Sequence, residues 1–314
     1  MQRRFKAASL VVVLTAFSLT LVGCAQLGVL KARKAFKEAN VLYQQQDYKR
    51  AAERYEETVQ NDPNLSTAYF YLANSYDQMY KPSRKGEKQN DEYLTKAIEN
   101  YRKCADKEKD AKLKKLSLEY LVAAYGPDKM NDPAQAEPLV QEMIRLEPTE
   151  PSNYFILSKM YEDAGQYELG EQTLLKAKEM RPNDSSTYMQ LAGFYNRQGE
   201  FEKTMAALQE RADKEPNNPE AFYTISSYYW EKAYRDFRLK DAEKLNYITL
   251  GLTAADKALQ LKADYPEALT YKNLLLRSQA LVIKDPAKQK ELLKEADTLR
   301  DRAIDLRKQK AGGK

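Results

Sequence analysis

A spacing of 34 residues recurs through the middle of the chain and constrains its fold more than any other feature. Pro148, Pro182 and Pro216 lie exactly one step apart from each other. Aromatic residues keep the same step in two series, Tyr161, Tyr195, Tyr229 and Tyr154, Tyr188, Phe222. Because a fixed period of this length is the sequence signature of stacked supersecondary units, the chain is predicted to be an array of repeats.

The composition favours helices for these repeats and excludes several kinds of chemistry. The chain of 314 residues has only ten Val and seven Ile, which is too few for a large buried parallel sheet, so we expect an all-α protein. With no His, it has neither a Ser-His-Asp triad nor an imidazole metal ligand. We expect no enzymatic activity, no cofactor and no metal site.

The residues between the repeated prolines follow a helix–turn–helix pattern. In one repeat, Tyr154, Leu157 and Tyr161 supply the large apolar positions of a first helix, and Gly165 lies in the turn before Leu174 on a second helix. This pattern resembles the tetratricopeptide repeat (TPR) family over nearly the whole length that follows residue 23. The resemblance implies a right-handed helical-hairpin solenoid, in which one repeat buries its apolar face only by stacking on the next.

The resemblance also implies domain boundaries. A solenoid of about six to seven repeats is expected over residues 31–284, with insertions near 80–92 and 231–249. We expect a polar loop for the first insertion and two lengthened helices for the second. Insertions of this kind form contacts in some solenoids and are tolerated drift in others.

A C-terminal capping helix is predicted over residues 285–310. Asp285 and Pro286 have the pattern of an N-cap followed by a proline in the first turn. An apolar stripe follows at Leu292, Ala296, Leu299, Ala303 and Leu306. The alternative for this stripe is a coiled-coil dimer seam. A disordered tail is expected at 311–314.

The first 24 residues predict export and lipid attachment. Arg3, Arg4 and Lys6 precede an uncharged apolar stretch over 7–23, as in a secretory signal peptide. The stretch ends in Gly23-Cys24, which resembles the bacterial lipobox, so we expect removal of 1–23 and lipidation of Cys24. The alternative is an N-terminal membrane helix with an incidental cysteine. A short tether is expected over 24–30, followed by the cations Lys31, Arg33, Lys34 and Lys37, which either touch anionic headgroups or form a solvated helix face.

These features imply a membrane lipid anchor that faces the periplasm. Residue 25 is Ala rather than the Asp that favours inner-membrane retention in related lipoproteins, so the outer membrane is favoured over the inner one. Without residues 1–23 the formal net charge falls from +5 to +2, because three basic residues are lost. A nearly neutral body predicts no binding of nucleic acid.

The TPR resemblance implies a concave groove that binds a protein or peptide segment. The family's partner-facing positions on the first helix of each repeat carry aromatic and amide side chains here. The predicted groove residues are Phe36, Asn40, Tyr43, Phe70, Asn74, Phe155, Lys159, Met189, Tyr223 and Trp230. The alternative is that these rings pack against the next helix.

The functional prediction is therefore a membrane-anchored periplasmic scaffold for outer-membrane, pilus or secretion, or cell-wall complexes. The alternative is a cell-envelope module that binds carbohydrate or lipid, with Trp230, Tyr223 and Phe155 stacking on sugar rings or lining an acyl slot. Cys104 falls at a small buried position of a second helix, so we expect an inert packing residue.

Overall fold

A computed structural model describes residues 26–312 of the chain, and this part contains fourteen α-helices and no strand. The predicted signal peptide over 1–23, Cys24 and residues 313–314 lie outside the described residues. The helices form two compact units, one up to Met160 and one from Tyr161 onward. The all-α helical-hairpin architecture predicted from the repeat is confirmed.

The first unit consists of consecutive antiparallel helices. After α1 (26–44), its helices are α2 (Tyr48–Asn61), α3 (Ser66–Met79), α4 (Lys88–Lys107), α5 (Ala111–Tyr125) and α6 (Pro133–Leu146). Each packs on the next from α2 to α6. A further helix, α7 (Pro151–Asp163), spans the boundary between the units. Fully buried Tyr55, Tyr101 and Leu121 lie at the centre of this core, and a buried side chain of this size contributes about 1.5–3 kcal/mol.

The second unit continues the hairpin pattern and ends in a long helix. Its helices are α8 (Tyr167–Met180), α9 (Ser185–Arg197), α10 (Phe201–Lys214), α11 (Pro219–Arg235), α12 (Asp241–Leu261), α13 (Pro266–Val282) and α14 (Pro286–Gly312). Its core contains Leu191, Leu208, Ile248 and Leu275. At Gly251 a Cβ atom would lie 2.9 Å from a Leu275 methyl group, so a larger residue there would have to displace that buried side chain.

Two hydrogen bonds link the recurring Pro and Tyr residues in two of the repeats. The Tyr154 hydroxyl donates to the carbonyl of Pro148 at 2.7 Å, and the Tyr188 hydroxyl donates to that of Pro182 at 2.6 Å. Each proline belongs to the loop that precedes a helix, where its carbonyl has no helical partner. The tyrosine therefore ties the loop to the following helix in both repeats.

The insertion near 80–92 differs in detail from the predicted loop. A loop with a 3₁₀ turn over Pro82–Arg84 covers only its first part, because α4 already begins at Lys88. The buried Asn90 holds this loop, accepting from the Lys81 backbone N–H at 2.8 Å and donating to its carbonyl at 3.1 Å. Near 231–249, α11 extends to Arg235 and α12 begins at Asp241.

Two predicted boundaries differ at the ends of the described region. Residues 26–30, predicted as tether, belong to α1, because Gly28, Ala32, Ala35 and Ala39 form one continuous face of small residues. The C-terminal α14 includes Ala311 and Gly312, which were predicted as tail. Its Leu292, Ala296 and Ala303 are buried, and Leu292 and Ala296 pack with Leu276 and Ala280 of α13. No helix of residues 26–312 has both the length and the apolar character required to cross a membrane.

Candidate partner-binding surfaces

Seven side chains of a connected aromatic cluster in the first unit are here called the aromatic ladder. The Tyr71 ring lies at its centre, 6.4 Å from Phe36, 5.5 Å from Tyr43 and 5.4 Å from Phe70, each in edge-to-face geometry. Edge-to-face contacts contribute about 0.5–1.5 kcal/mol beyond the burial of the rings. The ladder thus joins α1 to α5 through its members Phe36, Tyr43, Tyr55, Phe70, Tyr71, Tyr101 and Tyr120.

The members of the ladder differ in exposure. Tyr55, Tyr101 and Phe70 are buried, with Phe70 only 6% exposed. The rings of Phe36, Tyr43, Tyr71 and Tyr120 are half-buried, so each still presents part of its surface. The buried rings form the floor of the ladder and the half-buried rings form its accessible face. Phe70, which the sequence placed in the groove, is therefore a floor residue that packs on Tyr71, Tyr101 and Tyr120.

Two asparagine side chains form hydrogen bonds with tyrosines of the ladder. The buried Asn74 accepts a hydrogen bond from the Tyr43 hydroxyl at 2.6 Å and donates to the Tyr101 hydroxyl at 3.2 Å. Asn40 accepts from the Tyr55 hydroxyl at 2.7 Å. The amide of Asn74 is thus used within the protein, because a buried polar group without a partner costs about 1–3 kcal/mol.

Burial also changes the acidity of these phenols. Desolvation raises the pKa of Tyr43, Tyr55 and Tyr101 above the ordinary tyrosine value. The hydroxyl groups are neutral at physiological pH, so Tyr43 and Tyr55 donate their protons to the asparagines and Tyr101 accepts from Asn74. This keeps the amide bridges of the ladder intact.

Two other predicted groove residues of the first unit, Phe155 and Lys159, lie on α7. Phe155 is half-buried, whereas Lys159 is exposed. Among the described residues, no ring contact joins Phe155 to the ladder. The structure therefore brings together Phe36, Asn40, Tyr43, Phe70 and Asn74, and leaves the two α7 residues outside that cluster.

A second aromatic cluster lies in the second unit, here called the terminal aromatic patch. The Tyr223 ring lies 5.2 Å from Tyr265 and 6.2 Å from Tyr271, and Tyr271 lies 5.9 Å from Trp230. Trp230 in turn stacks on Tyr234 at 5.1 Å, with 12° between the ring planes. Tyr234 is 65% exposed. The predicted residues Tyr223 and Trp230 therefore belong to one continuous set of rings.

Met189, the remaining predicted groove residue, contacts a buried cation instead. Its Sδ lies 3.0 Å from Nη1 of Arg211, a guanidinium that also pairs with Glu215 at 3.1 Å and Glu220 at 3.0 Å. Arg211 stands where the repeat pattern usually has a small residue. Its alkyl stem fills that buried space, and its head is neutralised by two carboxylates.

A cavity of about 440 Å³ lies beside the insertion after α11, and its site was not predicted from the sequence. Phe201 and Tyr228 line it together with residues 235–238. Phe237 is 88% exposed, and the Asp236 carboxylate joins the Lys232 ammonium at 3.0 Å to the Arg238 guanidinium at 2.8 Å. In the sequence, only the extra residues of the insertion near 231–249 pointed to this region.

Cys104 lies where the sequence predicted, with a fully buried side chain. Burial raises the pKa of its thiol, so the reactive thiolate is disfavoured. Within residues 26–312, no group of three potential metal-ligating side chains comes together.

Comparison with known proteins agrees with this architecture. Residues 36–78 match the sequence profile described as tetratricopeptide repeat. The structure also resembles the C-terminal part of a TPR repeat-containing protein from Cytophaga hutchinsonii, with a TM-score of 0.55. That likeness covers 86% of this chain and 98% of the other at 17% identity, and it supports the fold.

Residues 36–78 are a tetratricopeptide repeat, and the described part of the chain has the tetratricopeptide-repeat fold.

Two further comparisons concern a second solved structure and the curated protein sequences. A tetratricopeptide repeat protein from Parabacteroides merdae matches with a TM-score of 0.45 and 12% identity, over 85% of this chain and 99% of the other. A search of curated sequences found no significant match. The TPR fold indicates a protein-interaction scaffold, and proteins of this kind are generally non-catalytic.

Proposed function

We propose that this TPR protein is a membrane-anchored periplasmic scaffold that binds an extended peptide segment on the face of its aromatic ladder. The observation that carries the proposal is the half-exposed set of Tyr71, Tyr120, Tyr43 and Phe36 above a buried floor. Tyrosine is enriched at interaction hot spots, because its ring supplies apolar contact area and its hydroxyl supplies a directed hydrogen bond.

Hydrogen-bonding groups without a partner on the ladder support a peptide as the ligand. The Tyr71 and Tyr120 hydroxyls have no hydrogen-bond partner among the described residues, and neither has the Nδ2 group of Asn40. An extended peptide offers backbone N–H and C=O groups along its length, which such donors and acceptors can satisfy. The clefts between tilted rings accept apolar side chains of the same segment.

The envelope location rests on the N-terminal sequence. The basic start, the uncharged stretch over 7–23 and the lipobox-like Gly23-Cys24 favour lipidation at Cys24. Ala25 favours the outer membrane. A scaffold attached there is suited to the assembly of outer-membrane, pilus or secretion, or cell-wall complexes.

In-cell photo-crosslinking tests the proposed peptide site. A photoreactive phenylalanine derivative replaces Tyr71 or Tyr120 in the full chain, and Glu99, an exposed residue of α4, serves as the matched control in the same unit. We expect one protein to be captured from both ladder positions and not from Glu99. Capture of identical adducts from all three positions, or of none from the ladder, would refute the ladder as the site.

Anchoring is tested separately by metabolic labelling. Cells that express the full chain are grown with an alkyne fatty acid, and the purified protein is examined for the label. We expect label on the natural chain and none on the Cys24→Ala variant. Unlabelled natural protein would contradict lipidation without affecting the crosslinking result.

A second candidate function is carbohydrate binding at the terminal aromatic patch. The parallel stack of Trp230 and Tyr234 favours it, because exposed flat rings offer a platform for sugar faces. Trp230 is the single tryptophan of the chain, so its fluorescence reports directly on this patch. Saturable changes on titration with soluble N-acetylhexosamine oligosaccharides would support binding, and an unchanged spectrum at millimolar sugar would exclude it.

A further inference from the structure

The first described helix has two faces of opposite character. Ala32, Ala35 and Ala39 face the protein and are buried, and Gly28 lies on the same side close to the carbonyl of Asn61. The opposite face repeats with steps of three and four residues, as a helix stripe requires. We call this face the docking stripe, and its members are Leu27, Leu30, Lys34, Lys37 and Val41.

The docking stripe exposes aliphatic side chains that the fold leaves uncovered. Leu27 is 59% exposed, Leu30 is 63% exposed and Val41 is 48% exposed. Scattered exposed leucines need no explanation, but three aliphatic residues on one side of one helix form an aligned surface. Lys34 and Lys37 lie between Leu30 and Val41 on this face, and the alkyl stems of the two lysines extend the apolar area.

The charge of α1 is strongly one-sided. Lys31, Arg33, Lys34 and Lys37 are all exposed, and Glu38 is the single acidic residue among 26–44. Glu38 is compensated by Arg54 at 3.5 Å and by Lys34 at 4.0 Å. Among the described residues, no carboxylate lies within salt-bridge distance of Lys31, Arg33 or Lys37. This leaves a patch of unneutralised cations beside the aliphatic side chains.

We infer that the docking stripe lies flat on an anionic phospholipid surface. Leucine and valine enter the boundary between headgroups and acyl chains, while the lysine heads reach the phosphates. Each cation near an anionic surface strengthens binding, and α1 carries four of them close to the stripe. Cys24, the proposed site of lipid attachment, lies only three residues before Leu27, so the proposed anchor holds this helix next to the bilayer.

This inference rests on the proposed membrane attachment and adds an orientation to it. A tether alone allows any angle between α1 and the bilayer. A helix that lies flat brings both Leu30 and Val41 to the lipid, although eleven residues separate them. At a rise of about 1.5 Å per residue, an upright helix would hold Val41 about 16 Å farther from the surface than Leu30.

Fluorescence quenching by brominated lipids tests the orientation in the full chain. The background is Trp230→Phe, which removes the single tryptophan, and new probes are introduced one at a time as Leu30→Trp, Val41→Trp or Leu281→Trp. Leu281 is a matched control, because it is an 83% exposed leucine in the second unit. The vesicles contain phosphatidylglycerol and phosphatidylethanolamine in a ratio of one to three, or phosphatidylcholine alone.

We expect quenching at positions 30 and 41 to exceed that at 281 at least twofold in the anionic vesicles and to fall in phosphatidylcholine. Adding Lys34→Glu and Lys37→Glu should return both probes to the level of the control. Quenching at position 30 alone would show an upright helix and overturn the inference. Equal quenching in both lipids would overturn the role of anionic headgroups. Failure of the unmutated chain to float with vesicles would instead contradict the proposed attachment.

Discussion

Two repeats, one in each unit, place equivalent residues in different environments. At one partner-facing position of the repeat pattern, Phe70 is buried in the first unit, whereas the equivalent Tyr223 is half-buried in the second. Four residues later, Asn74 bridges tyrosines from two other helices, whereas the equivalent Ser227 hydroxyl donates to the Thr224 carbonyl of its own helix at 2.7 Å. An amide with two functional groups can therefore connect helices, while a short hydroxyl is satisfied locally.

This difference determines what each aromatic cluster can offer a ligand. The ladder of the first unit has a buried, hydrogen-bonded floor, which holds its half-exposed rings in fixed positions. The terminal aromatic patch of the second unit instead ends at Tyr234 beside the exposed insertion around Phe237. Preordered rings lose less entropy when they bind a partner, so we expect the ladder to be the more selective surface.

The largest expected effect comes from removing the floor of the ladder. Phe70→Ala should destabilise the first unit by about 3–5 kcal/mol, because it leaves a cavity beneath three rings. Tyr223→Ala is the matched change in the second unit and should cost less than half as much, because Tyr223 is only half-buried. Amide hydrogen exchange followed unit by unit measures both values. Similar protection losses in the two variants would remove the distinction between the units.

A smaller effect is expected from breaking the amide bridge. Asn74→Ala leaves the Tyr43 and Tyr101 hydroxyls without their shared partner and should cost about 1–3 kcal/mol. The control is Asn196→Ala, an exposed asparagine of the second unit, which should change stability by less than about 0.5 kcal/mol. Urea unfolding of both variants gives the comparison. An Asn74→Ala protein as stable as the control would show that the bridge is dispensable.

The smallest effect concerns pH and lies in the second unit. Burial alone would raise the pKa of Glu171, but hydrogen bonds from Tyr195 and Lys203 outweigh it and hold that pKa below its ordinary value. Since the folded pKa is the lower one, this contribution to stability is present above the unfolded pKa and is lost as pH falls through the folded pKa.

Glu171→Gln should therefore destabilise the protein at pH 7 by less than about 1 kcal/mol, because the site is partly exposed to solvent. The difference from the natural chain should shrink as the pH is lowered below about 4. Thermal unfolding of the natural and substituted chains at pH 7 and pH 3.5 measures it. A difference that grows in acid would contradict the assigned direction.

The repeat period made most of the fold predictable, and particular residues show where prediction ended. Ala51, Ala73 and Ala192, which the pattern assigned to close helix contacts, are fully buried. The sequence also identified the aromatic and amide residues near the ladder. It did not identify Tyr71 and Tyr120, although Tyr71 directly follows the predicted groove residue Phe70. Their selection depends on ring packing between helices, which the period does not encode.

The repeat pattern also did not predict the burial of Phe70 and Asn74. Their repeat positions indicated a partner-facing role, but contacts with residues from other helices bury them. Whether a side chain at such a position is presented or buried depends on the size of its neighbours, here Tyr71, Tyr101 and Tyr120. These neighbours are distant from one another in the sequence, so local pattern alone does not determine exposure.

The sequence by itself determined the helical class, the hairpin repeat and the location of the insertions, because each follows from local periodicity and from residues that start or end helices. Only the tertiary structure decided which rings form the ladder, which amides bridge them, and which side of α1 stays uncovered. Those outcomes depend on contacts between side chains of different helices, where packing and hydrogen-bond satisfaction select one arrangement from many that the pattern allows.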